Sequence, residues 1–180
     1  MQNRTPPMPD QPVPSHAEND ARFTVELAAV LNGARRRALR DGDRQIDTAH
    51  LLHSLIETDP EVREAFDGGP QLAKVLGYLV QRSIGYGLRW QGSVEDSGSI
   101  PVVRDPAVDG WSPSALAAME GALYRAASRG EARASGLDLL AALATDIECR
   151  AVEVLARGGV DARGLADRVV VVTAKAARHA

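Results

Sequence analysis

Two histidines three positions apart, His50 and His53, form the first pair in this sequence that could hold a metal, because residues at i and i+3 share one face of a helix. A third ligand is missing, so no metal site is expected. Cys149, the single cysteine, stands near a predicted helix start, where a thiol can become more acidic. No histidine lies in its part of the chain, and it reads as buried filler. The serines, among them Ser54, Ser112 and Ser135, fall in caps, loops or helix faces without a G-x-S-x-G elbow, so no nucleophile with a base can be assembled. No G-x-x-x-x-G-K-S/T phosphate loop occurs. The expectation is a protein that is not an enzyme and needs no cofactor. Arg35, Arg36, Arg37, Arg40 and Arg44 could steer an acidic partner, but Asp41 and Asp43 interrupt them and helical spacing spreads them over a solvated face.

Charge narrows the partners further. Twenty-one basic against 24 acidic residues give a net charge of -3, which provides no global positive field for nucleic acid or anionic lipid. A lone cysteine and no C-x-x-C pair suit a reducing cytoplasm. The first residues lack the apolar stretch of a signal peptide, and the apolar run Val169 to Val172 is far too short to cross a membrane, so no membrane association is expected.

The elements that must position these residues are helices. With 44% hydrophobic but only 4% aromatic residues, the composition suits close-packed helices better than sheets. Residues 1–20, rich in proline and polar residues, read as a disordered tail. Thr24 is placed to cap a first helix carrying Leu27, Val30, Leu31, Ala34 and Ala38, with Gly42 just past its end. Asp47 or Thr48 can cap a second, carrying Leu51, Leu52, Leu55 and Ile56. A short third helix starting near Pro60 would turn Val62, Ala65 and Phe66 inward. A fourth, from about Gln71 to Ile84, would bury Leu72, Val75, Leu76, Leu79 and Val80.

The same order then starts again. Phe23-Thr24 returns as Trp111-Ser112, Gly33-Ala34 as Gly121-Ala122, Arg37-Ala38 as Arg125-Ala126, Gly42 as Gly130, and Leu51, Leu52 and Leu55 as Leu139, Leu140 and Leu143, each 88 positions on. Ser112 precedes Pro113 at a first helical position, and Ser135 with Asp138 resembles a capping box. Two copies of a four-helix unit are implied: an all-α fold of eight helices, with repeat 1 at 21–84, a Gly/Ser/Asp/Pro-rich linker at 85–110, repeat 2 at 111–172 and a tail at 173–180 that briefly continues the last helix. Trp90, in the linker, is a large apolar residue with no assigned core.

Phe23-Thr24 opening a long helix, Gly42 closing it and Ile46-Asp47-Thr48-Ala49-His50-Leu51-Leu52 opening the next, followed by a degenerate second copy, resemble the N-terminal domain of the Clp ATPases. There each copy reads roughly F-T followed by G-H-x-x-I-G-T-E-H-L-L. The resemblance covers about residues 21 to 172, makes His50 the capping-region histidine of the pattern, and implies a domain without the ATPase modules. In that family the glutamate of T-E-H grips the guanidinium of phosphorylated arginine. The matching residues here are Ala49 and Leu137, which cannot accept that contact, so phosphoarginine recognition is not expected.

The resemblance also implies a groove where the copies meet, which in relatives takes adaptor proteins or cyclic peptides. By position Phe23, Trp111 and Glu120 match its contacts. Phe23 reads more simply as a hydrophobic staple packed under its helix, while Trp111 is either a staple or a partly exposed seam residue that contributes to binding. The functional expectation is a non-enzymatic, cytoplasmic binder of protein segments, adaptors or peptide-like ligands that modulates a Clp protease or unfoldase or acts as its decoy. The alternative is a helical regulatory protein whose likeness to these domains is architectural only.

Overall fold

The computed structural model describes residues 21–84, 94–96 and 110–179. Within them the chain is all-helical, with no strand: α1 (Val25–Asp41), α2 (Thr48–Thr58), α3 (Pro60–Glu64), α4 (Gly69–Ser83), α5 (Pro113–Ser128), α6 (Gly136–Thr145), α7 (Arg150–Arg157) and α8 (Ala162–His179). The expected N-terminal tail, most of the linker and Trp90 lie outside the described residues.

Each helix start follows from its cap. Thr24 is extended and its hydroxyl accepts from the Leu27 amide at 3.2 Å; Ser112, 88 positions later, accepts from the Ala115 amide at 3.0 Å. Asp47 rather than Thr48 caps α2. Its carboxylate accepts from the His50 amide at 2.9 Å while the Asp47 amide donates to His50 Nδ1 at 3.0 Å, so His50 closes a capping box. Ser135 and Asp138 form the corresponding box at α6. Gly42, with φ 72°, supplies the left-handed residue that ends α1.

The core is built on α2 and α6, buried on almost every side from Thr48 to Ile56 and from Gly136 to Ala144. All six expected leucines (Leu51, Leu52, Leu55, Leu139, Leu140 and Leu143) are fully buried. α1 lies on α2 and α5 on α6, and each crossing is close at one glycine. A Cβ at Gly33 would stand 2.3 Å from Ser54 Oγ, and one at Gly121, 3.2 Å from the Ala142 Cβ. Each member of the first contact is 88 positions before its counterpart in the second, so the repeat is one of packing as well as of sequence.

The fourth helices break the equivalence. α8 packs along α6 of its own copy, whereas α4 packs chiefly on α7 of the other copy. Val75 and Leu79 are buried, Val75 against Gly158 at the end of α7, Leu72 and Leu76 are half-buried, and Val80, expected inside, is 50% exposed. The short α7 covers only a narrow stripe of α4, and Val80, about 100° around the helix from Leu79, falls outside it. Gln71 Nε2 to Gly159 O at 3.2 Å and Arg168 Nε to Ala65 O at 3.3 Å tie the copies together further. Residues expected in a short tail are helical: α8 runs on to His179.

Candidate binding site at the seam between the copies

Phe23 and Trp111 do meet the seam, through their backbones. Phe23 forms a parallel bridge with Ala134 and Trp111 one with Ile46, and the two bridges exchange under the same 88-residue offset. Thr24 N donates to Ala134 O at 2.9 Å and Ala134 N to Arg22 O at 3.0 Å; Ser112 N donates to Ile46 O at 3.0 Å and Ile46 N to Gly110 O. The residue before the first helix of each copy is thus stitched to the residue before the second helix of the other. This is how a pseudo-twofold axis satisfies polar backbone that no helix can.

That stitching also settles the side chains. Phe23 is 8% and Trp111 7% exposed, and both belong to the continuous apolar core. The partial exposure expected of Trp111 is therefore corrected: its paired backbone turns the indole inward, and the Arg35 guanidinium lies over the ring at 5.1 Å. Glu120 is exposed on α5. An open cleft of about 660 Å³ lies between α5, α6 and α8, lined by Gly121, Tyr124, Ala142, Val169 and Val170 among others; Phe23, Trp111 and Glu120 do not line it. Ala49 is fully buried and Leu137 nearly so, and neither offers a carboxylate.

Sequence reasoning missed the polar centre of the seam. Glu95 comes from the linker yet is only 4% exposed. Its Oε1 accepts from Thr48 N at 2.9 Å and from Ser112 Oγ at 2.7 Å; its Oε2 accepts from Arg150 N at 2.7 Å and from the Thr48 hydroxyl. Thr48 belongs to the first copy, Ser112 and Arg150 to the second, so one carboxylate joins the starts of α2, α5 and α7. Its own amide donates to Gln45 Oε1 at 3.2 Å. Beside it, Asp47 Oδ2 accepts from Arg150 NH1 at 2.8 Å and from Arg82 NH2 at 2.5 Å. Burial alone would raise the Asp47 carboxyl, but hydrogen bonding and charge from His50, with Arg82 and Arg150, hold it well below the usual carboxylate range. The only sequence signal for Glu95 was an acidic residue in a polar linker.

The remaining candidates are accounted for by packing. Burial pushes the Cys149 thiol up to about 12, the opposite of a helix-start activation, and Sγ lies 3.5 Å from Leu143 O. Burial, with the Arg37 cation beside it, brings His53 down to about 4. The arginine stretch is dispersed: Arg37 pairs with Glu57, Arg40 with Asp41, and Arg35 stacks on Trp111.

No protein-family profile matches the chain, and no curated protein matches it. Solved structures do. The N-terminal domain of the caseinolytic protease-associated chaperone ClpD from Arabidopsis thaliana matches with a TM-score of 0.58 and 20% identity, over 84% of this chain and 94% of that one. A structure from investigations of a malarial protein secretion system matches with a TM-score of 0.58 and 13% identity, over 82% and 92%. The fold is that of a Clp N-terminal domain. Among the described residues no helix is long and apolar enough to cross a membrane.

Proposed function

We propose that this chain is a Clp N-domain-like binding module that performs no chemistry itself and takes extended protein segments at the seam between its copies, modulating a Clp protease or unfoldase or acting as its decoy. The observation that carries this reading is Glu95. A segment of the chain outside both helical units places an acidic side chain among donors supplied by both copies and is held by them as a bound peptide would be. The fold supports the class of partner. The absence of any assembled nucleophile and base in the sequence supports binding rather than catalysis, and the raised Cys149 thiol adds to this.

The test is capture of purified Clp ATPase subunits from the source cell by the immobilised chain, with degradation of a model substrate by the matching Clp protease measured in parallel. Saturable capture together with a changed degradation rate is expected. Absence of both would refute the reading. A phosphoarginine peptide titrated by calorimetry should show no micromolar affinity, which would correspond to about -8 kcal/mol, because Ala49 and Leu137 are buried and apolar.

A further inference from the structure

The two copies also differ at the turn between their first and second helices. In the second, the Arg129 guanidinium sits between two carboxylates, with NH1 2.7 Å from Asp138 Oδ1 and NH2 2.7 Å from Glu131 Oε2. The positions 88 residues earlier are Asp41 for Arg129, Asp43 for Glu131 and His50 for Asp138. The internal cation of the second copy is thus replaced by a third potential ligand in the first. Asp41, Asp43 and His50 can each bring one ligand atom within 4.8 Å of the others.

Two atoms of this trio lack an aligned hydrogen-bond partner. Asp41 Oδ2 is buried without a hydrogen-bond partner, on a side chain only 8% exposed. His50 is fully buried, and its Nε2, 2.9 Å from Asp43 Oδ2, makes no aligned hydrogen bond there. Buried polar atoms without partners are costly, and an unfilled ion position is one of their recognised causes. On the other side of the ring, Nδ1 lies 2.8 Å from Asp47 Oδ1. In the capping box Nδ1 accepts from the Asp47 amide, so an ion at Nε2 requires the ring proton to shift to Nδ1, where Asp47 Oδ1 takes it in place of the amide contact; that is the carboxylate–histidine–metal arrangement that orients and strengthens an imidazole ligand. Two cations border the trio: Arg40 Nε is 3.4 Å from Asp41 Oδ1, and Arg82 NH2, 2.5 Å from Asp47 Oδ2, is 3.7 Å from Asp43 Oδ2.

We infer that Asp41, Asp43 and His50 form a site for a borderline divalent cation of the Zn²⁺ or Co²⁺ kind, with water completing the coordination. One imidazole and two carboxylates suit that class better than Mg²⁺ or Ca²⁺, which prefer oxygen alone. The ion would clamp the end of α1 to the start of α2, as Arg129 clamps α5 to α6. The histidine pair of the sequence, His50 with His53, is not the site; the missing ligands come from the turn after α1.

The test uses the full chain. Titration with Zn²⁺ is expected to show one site of micromolar or tighter affinity, and Co²⁺ at the same site to give the visible absorption of a low-symmetry complex. Asp43→Asn, on a half-exposed side chain, and Asp41→Asn should each weaken Zn²⁺ at least tenfold with helical circular dichroism unchanged, while His53→Gln leaves it unchanged. Nitrogen NMR of the imidazoles should move His50 Nε2 to the value of a ligated nitrogen, a readout independent of either variant. No binding, binding indifferent to both aspartate variants, or binding lost in His53→Gln would each overturn the assignment.

Discussion

At His53 the sign of a pH effect can be read from the surroundings of a single ring. The imidazole is 2% exposed, and burial together with Arg37 brings it to about 4, against an unfolded value of 6.5. The unfolded chain therefore takes up the proton first. Stability from burying the neutral ring is complete at pH 7 and is lost as pH falls from about 6.5 towards 4, by up to about 1.4 kcal/mol per unit. Asp47, held below the carboxylate range, loses its contribution only in stronger acid. Urea melts of the wild type at pH 7, 5.5 and 4.5 should show the first loss, and His53→Gln should flatten it; an unchanged slope in the variant would remove His53 from the account. Glu95 makes a second case. Glu95→Ala would leave Thr48 N, Ser112 Oγ and Arg150 N without their shared buried acceptor, and a loss of about 3 kcal/mol is expected, with Glu95→Gln intermediate. A chemical melt unchanged by Glu95→Ala would show that water replaces the carboxylate without cost. The capping residues Thr24, Asp47, Ser112 and Ser135 were legible in the sequence because each meets a partner three residues away. Glu95 was not, because its partners lie 47, 17 and 55 positions off and no local pattern encodes them.

Helix by helix, two mid-helix glycines in different surroundings should respond with opposite signs. Gly33 lies where α1 crosses α2, and an added Cβ would meet Ser54 Oγ at 2.3 Å, displacing the hydroxyl from its 2.7 Å bond to Val30 O. Gly77, on α4, has nothing within 4 Å. Alanine improves helix propensity at both by about 0.8–1 kcal/mol. At Gly77 that gain should appear nearly whole, whereas at Gly33 overpacking of about 1–3 kcal/mol should outweigh it. Thermal melts of Gly33→Ala and Gly77→Ala measure the difference directly, and a stabilised Gly33→Ala would mean that the crossing is looser than its distances imply. The repeated Gly33-Ala34 and Gly121-Ala122 were visible in the sequence as a recurrence, but their purpose needed the partner helix. Val80 was misplaced for a related reason. Helical periodicity gives the direction of an apolar stripe and not its width, which on α4 is set by how little of it the eight-residue α7 can cover.

For the molecule as a whole, the copies share one apolar core and are also joined by an exchange of backbone. The bridges Phe23–Ala134 and Ile46–Trp111 consume the hydrogen-bonding groups that precede four helices, and the side chains at those positions fill the core that the exchange encloses. The 88-residue offset in the sequence predicted two equivalent units. It could not predict that the residue before each long helix pairs with the other unit, since that is a property of the axis between them. Trp111 is where the consequence is largest. A ring 7% exposed, capped by Arg35 and continuous with the core, should act as a structural residue, so Trp111→Ala is expected to cost about 3–5 kcal/mol and to lower the melting temperature sharply. Trp111→Phe, which keeps an aromatic ring over the same backbone, should recover most of it. Any effect of Trp111→Ala on partner capture would then follow from loosening the seam and should be matched by Phe23→Ala, its equivalent in the other copy. A Trp111→Ala protein that melts like the wild type but loses its partner would instead return the indole to the binding surface. In that case the burial of this ring must be relieved when a ligand arrives, and the seam would have to open for it.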